Sequence, residues 1–189
     1  WYIEKGAKLK HPCVGLVQRA GWWGKSSEML ILKKILGRMP EVNFYWVGGG
    51  DVENKILSEL NGFENFHWLG SLKYPDQVRQ FLSEIDVYLL ATGMETTPLS
   101  LKEAQLMKRP VISTNVGGTY ETMVDGTTGF LVEKGNHEQL IEKLKLLLDN
   151  KKMSEQMGEA GRKFIQETFS TESMAKIFVD TIKPYLRNK

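Results

Sequence analysis

The chain has 189 residues, 41% apolar and 25% charged, which bounds it to one globular domain with a substantial core. Its 25 basic and 23 acidic residues are interspersed, so no basic stripe is available to track a phosphate backbone, and nucleic acid is excluded as a partner. The longest apolar runs, such as residues 87–91, fall far short of the roughly 20 residues a spanning helix needs, so no transmembrane segment is expected.

Residues 1–10 lack an initiator Met and any signal-peptide pattern, which predicts a piece cut from something longer. Cys13, the single cysteine, lies in an apolar run and is expected to be an inert, buried thiol in a reducing compartment. Residues 14–17 read as the first strand. Next comes Arg19-Ala-Gly-Trp-Trp-Gly-Lys25, a loop with two cations and two glycines. It is either a solvated basic loop or a diphosphate grip made of an Arg fork, a Lys point charge and the N–H groups of the following helix. That helix is predicted over 27–38, with Ser26 or Ser27 as its N-cap.

A second strand over 43–47 runs into Gly48-Gly49-Gly50-Asp51, which is a plain turn or a place of close ligand approach. No G-x-G-x-x-G follows, so the dinucleotide fingerprint is absent. Strands are predicted over 66–69 and 87–91, with a helix over 76–83 between them. Pro98 reads as the first residue of a helix over 98–107. Glu95 precedes that helix and Glu103 lies within it, so the two carboxylates can face one crevice while Leu99 and Ser100 offer unpaired N–H groups. The alternative is two surface glutamates.

A strand over 110–114 leads to a glycine-rich turn, Asn115 to Glu121, which either approaches a phosphate or is only structural. A last strand over 129–132 precedes helices over 137–148, 153–169 and 172–186. Short apolar strands alternating with amphipathic helices give an α/β class: a Rossmann-like, doubly wound parallel sheet of about six strands with helices on both faces. Ligands of such sheets bind beyond the carboxyl ends of the strands. His11, His67 and His137 share no metal-ligand spacing, and there is no Asp-x-Asp pair, G-x-S-x-G or H-E-x-x-H, so metal and serine chemistry are disfavoured.

In order, these pieces resemble the C-terminal domain of the family-4 retaining glycosyltransferases of two-domain GT-B architecture, relatives of glycogen synthases and bacterial mannosyltransferases. The most specific match is Glu95 to Ala104, similar to the family's E-x7-E motif. Asp86-Val-Tyr-Leu-Leu, Arg109-Pro-Val-Ile-Ser, Val116-Gly-Gly-Thr-Tyr-Glu and Asp125-Gly-Thr-Thr-Gly-Phe-Leu-Val accompany it. The resemblance implies that Arg19 and Lys25 grip the diphosphate of a nucleoside-diphosphate sugar and stabilise the departing nucleoside diphosphate. It implies that Glu103 binds ribose and that Glu95 orients the transferred sugar. Pro98, Leu99 and Ser100 would meet the phosphates, and Gly48, Gly49, Gly117 and Gly118 would line the cleft.

No metal or other cofactor is implied. The partner is an N-terminal acceptor-binding domain outside this chain, toward which residues 172–187 would cross, so the chain alone should be inactive. Location would be cytoplasmic, with membrane-face association supplied by the other domain. Three features depart from the family pattern: Ser26 after Lys25, the enlarged Trp22-Trp23 loop, and Thr96-Thr97-Pro98. They leave the sugar open, and the two tryptophans either fill a helix–sheet gap or face a ligand or the other domain. A non-catalytic sugar-nucleotide sensor and a GT-B-type epimerase are the competing functions.

Overall fold

The computed structural model describes residues 8–186. Six strands form one parallel sheet in the order β3-β2-β1-β4-β5-β6: β1 Cys13–Val17, β2 Asn43–Val47, β3 Phe66–Trp68, β4 Val87–Leu90, β5 Val111–Thr114 and β6 Gly129–Val132. β1 pairs in parallel with both β2 and β4, so the chain winds outward in both directions from it. This is the doubly wound order, and the reversal beside β1 opens a crevice at the carboxyl edge.

Alternation along the strands divides the core into two layers. Val14, Leu16, Phe44, Trp46, Val87, Leu89 and Ile112 face one layer, closed by Leu32, Ile35, Ile56, Leu60, Leu140 and Leu144. Cys13, Tyr45, Tyr88, Leu90 and Val111 face the other, closed by Phe81 and Leu82 of α4 (Asp76–Glu84) and by Leu101 and Ala104 of α5 (Leu99–Leu106).

The first crossover departs from the single helix expected over 27–38. It starts at Trp23 and consists of α1 (Trp23–Ser26), a 3-10 turn (Ser27–Ile31) and α2 (Leu32–Leu36). Trp22, in extended backbone, is its N-cap residue, and neither serine caps with its side chain. Ser26 hydroxyl donates back to the Arg19 carbonyl at 3.4 Å, which ties the loop to its own helix. α3 (Glu53–Leu60), absent from the sequence reading, buries Ile56, Leu57 and Leu60. Pro98 stands one residue before α5, at the N-cap, in extended backbone with ψ 107°.

The terminal helices are α6 (His137–Asp149), α7 (Lys151–Phe169) and α8 (Thr171–Leu186). Asn136 and Asn150 accept the Gln139 and Met153 N–H groups as side-chain N-caps. α8 has no buried residue and exposes Met174, Ile177, Phe178 and Val179. No helix among the described residues is long and apolar enough to cross a membrane.

Candidate functional site

A cleft of about 630 Å³ opens at the carboxyl edge, between the loops that leave β1, β2 and β4. Arg19, Lys25, Gly48, Gly49, Glu95, Pro98, Leu99, Ser100 and Glu103 all line it. Arg19 is exposed and has no carboxylate partner among the described residues. Lys25 is engaged: its Nζ lies 2.7 Å from Glu95 Oε2, with the Glu95 side chain only 11% exposed and Lys25 35%. The separately predicted cation and carboxylate therefore form one ion pair.

Backbone fixes this pair. Gly93 N–H donates to the Lys25 carbonyl at 2.8 Å, joining the β4 loop to the β1 loop. Gly118 N–H donates to the Glu95 carbonyl at 3.1 Å. Gly117 and Gly118 do not line the cleft, contrary to expectation; they pack behind it. A Cβ on Gly117 would lie 1.8 Å from the Glu95 carbonyl oxygen, and one on Gly118 would lie 1.8 Å from that of Thr96. Glycine is required there because backbone approaches backbone.

Gly48 does face the cleft. Its φ of +139° and a would-be Cβ 2.1 Å from the Gln18 carbonyl oxygen both demand glycine.

α5 starts without a side-chain cap, so the N–H groups of its first turn are left for another acceptor. Beneath them the buried Tyr88 hydroxyl lies 2.7 Å from Ser100 Oγ and 3.2 Å from the Val17 carbonyl. With one proton to give, the phenol donates to the carbonyl and accepts from the serine. Burial raises the Tyr88 pKa, so it stays neutral. This linkage joins the end of β1 to the start of α5 across the cleft floor.

Glu103 is 4% exposed, and burial pushes its carboxyl above the usual range, opposed by a hydrogen bond from Tyr74 and by the charge of Lys102. The Tyr74 hydroxyl donates to Glu103 Oε1 at 3.1 Å. Tyr74, Ser71 and Gln18 line the cleft but were not found from the sequence. Gln18 carried a readable signal, a polar residue ending an apolar strand. Both polar atoms of its carboxamide are buried without a hydrogen-bond partner among the described residues. Of the two tryptophans, Trp23 packs on the core with Lys55 Nζ 3.6 Å above its ring, whereas Trp22 is 56% exposed.

Other motif residues serve the frame. Arg109 donates to the Met107 and Ile85 carbonyls, and Asp125 accepts from Leu131 N–H at 2.9 Å. At the opposite edge of the sheet the fold gathers His11, Cys13 and Asp86, with ligating atoms within 4.8 Å of one another, a grouping that sequence spacing does not disclose. There His11 Nδ1 lies 2.8 Å from Asp86 and Nε2 lies 3.1 Å from Glu84.

The family model described as Glycosyl transferases group 1 matches residues 6–164. The capsular polysaccharide biosynthesis glycosyltransferase CapM of Staphylococcus aureus is 35% identical over 101 residues, covering 53% of this chain and 27% of the relative. The C-terminal domain of the group 1 glycosyl transferase LpcC from Francisella tularensis superposes with TM-score 0.71 at 20% identity, covering 84% of this chain and 86% of that one. Anabaena HepE, solved with UDP-glucose, superposes with TM-score 0.77 at 21% identity, covering 92% of this chain and 49% of HepE. The chain thus spans about half or less of the full-length proteins.

Proposed function

Because the chain belongs to the glycosyl transferases group 1 family, we propose that it is the donor-binding half of a retaining glycosyltransferase that moves a hexosyl group from a nucleoside-diphosphate sugar to a glycan or lipid-linked acceptor. The observation that carries this reading is the single cleft holding Arg19, Lys25, Glu95, Glu103 and the uncapped start of α5. Arg19 supplies a bidentate cation, Lys25 a point charge, and Leu99 and Ser100 backbone N–H groups to the diphosphate. These donors stabilise the negative charge that develops as the nucleoside diphosphate leaves. Glu103 accepts from ribose hydroxyls and Glu95 from hydroxyls of the transferred sugar.

Arg19, Lys25 and the first N–H groups of α5 are the diphosphate's donors in this cleft. The acceptor site belongs to an N-terminal domain outside this chain, reached through α8, whose apolar side is uncovered here. The isolated chain accordingly binds donor without turning it over, and the whole enzyme works at the cytoplasmic side of the membrane.

Calorimetric titration with uridine, guanosine and adenosine diphosphates, without metal, tests the reading. The uridine ligand comes first because HepE was solved with UDP-glucose. One nucleotide should bind, and Arg19→Ala should weaken it by about 1.5–3 kcal/mol, the worth of a hydrogen bond to a charged group. Failure of all three to bind, or indifference to the substitution, would refute the site.

A further inference from the structure

Glu103 presents a problem in electrostatics. Its carboxylate is an acceptor only, with two oxygens and about four lone-pair directions, and it is 4% exposed. A carboxylate removed from water without donors is costly and tends to take up a proton. Among the described residues its hydrogen-bond donor is the Tyr74 hydroxyl, 3.1 Å from Oε1, reaching from the loop between β3 and α4 across 29 positions of sequence. Lys102, its neighbour in α5, adds a favourable charge. Tyr74 and Glu103 line the same cleft, and the Tyr74 side chain is mounted directly before Pro75, the N-cap residue of α4.

We infer that Tyr74 is a positioning residue for nucleoside recognition: its hydroxyl holds Glu103 Oε1, fixes the plane of the carboxylate and leaves Oε2 to accept a ribose hydroxyl. The inference rests on the donor reading above and deepens it, because it selects ribonucleoside over deoxyribonucleoside diphosphates through a residue that need not touch the ribose. A phenylalanine at 74 keeps the ring but lets the carboxylate rotate or take up a proton. The cost then falls only on ligands that use Glu103.

The test is calorimetry of wild type, Tyr74→Phe and Glu103→Gln against uridine, guanosine and adenosine diphosphates, and against the 2′,3′-dideoxy form of whichever binds. Wild type should prefer the ribose form. Tyr74→Phe should lose about three- to tenfold in affinity for it, the scale of one hydrogen bond, and nothing for the dideoxy form. Adding Tyr74→Phe to Glu103→Gln should cost nothing further. Equal losses on both ligands, or no loss on the ribose form, overturn the role of Tyr74 while leaving the donor site standing. Absence of binding by wild type to every nucleotide overturns the donor reading and this assignment with it.

Discussion

Glu95→Gln should have opposite effects on the two ligands of the proposed reaction. In the unliganded cleft Lys25 and Glu95 satisfy each other at 2.7 Å. A free nucleoside diphosphate gains Lys25 only by competing with that carboxylate, and it brings nothing for Glu95 to bind. Lys25 is about one-third exposed, so the pair is screened and its net worth is discounted to about 1 kcal/mol. The amide frees Lys25 and removes a negative charge beside the phosphates, so affinity for the nucleoside diphosphate should rise about fivefold.

The intact donor loses more than it gains. Its sugar forfeits a hydrogen bond to a charged acceptor, about 1.5–3 kcal/mol, leaving a net weakening of about 0.5–2 kcal/mol. Paired calorimetric titrations of Glu95→Gln and wild type, at low and high salt, read both signs, and the gain for free nucleotide should shrink as salt rises. Changes of the same sign on both ligands would refute the idea that Lys25 is held in reserve by Glu95.

Gly118→Ala should lower the thermal midpoint and weaken donor binding together, because its Cβ would lie 1.8 Å from the Thr96 carbonyl oxygen and displace the Glu95 loop; an unchanged midpoint and affinity would show that the loop moves aside freely. His11 is partly desolvated, which lowers its pKa, but the hydrogen bonds it donates to Asp86 and Glu84 outweigh this and raise it. A raised cationic group stabilises the fold fully below its unfolded pKa, and that contribution is lost as pH rises through the folded value. Thermal stability should therefore decline as pH climbs above 6.5, the ordinary histidine value, and His11→Gln should flatten that decline in a pH series of melts. Cys13 is fully buried and its thiol is pushed up to about 12, so a thiol reagent at neutral pH should label the protein only at the rate of unfolding. Labelling of the folded protein at the rate of an exposed thiol would contradict that burial.

The six strands were legible because each is a short apolar run between turn residues, and period-two alternation between two buried faces leaves little choice of register. The first crossover was not, since the chain passes into a 3-10 turn at Ser27 and back to α-helix at Leu32, and apolar residues spaced three and four apart suit either helix. α3 has 8 residues and buries one narrow stripe, too brief to stand out after a glycine run. Arg19, Lys25, Glu95 and Glu103 were visible as loop and helix-start residues. Their pairing was not, because a salt bridge across 70 positions leaves no local trace. Tyr74 escaped for the same reason. Gly117 and Gly118 were misplaced because a missing side chain signals close approach without naming the visitor, and here it is the neighbouring loop.

The bracing of Glu95 also separates two things that evolution can change. The carboxylate's loop is anchored through main-chain groups, to Lys25 by way of Gly93 and to Gly118 by way of its own carbonyl. Thr96 and Thr97, exposed just after these anchors, contribute no side-chain hydrogen bond to the fastening among the described residues. Their identity can drift without shifting the acid. A chain built this way can vary the surface beside the cleft while the Lys25–Glu95 pair stays in register.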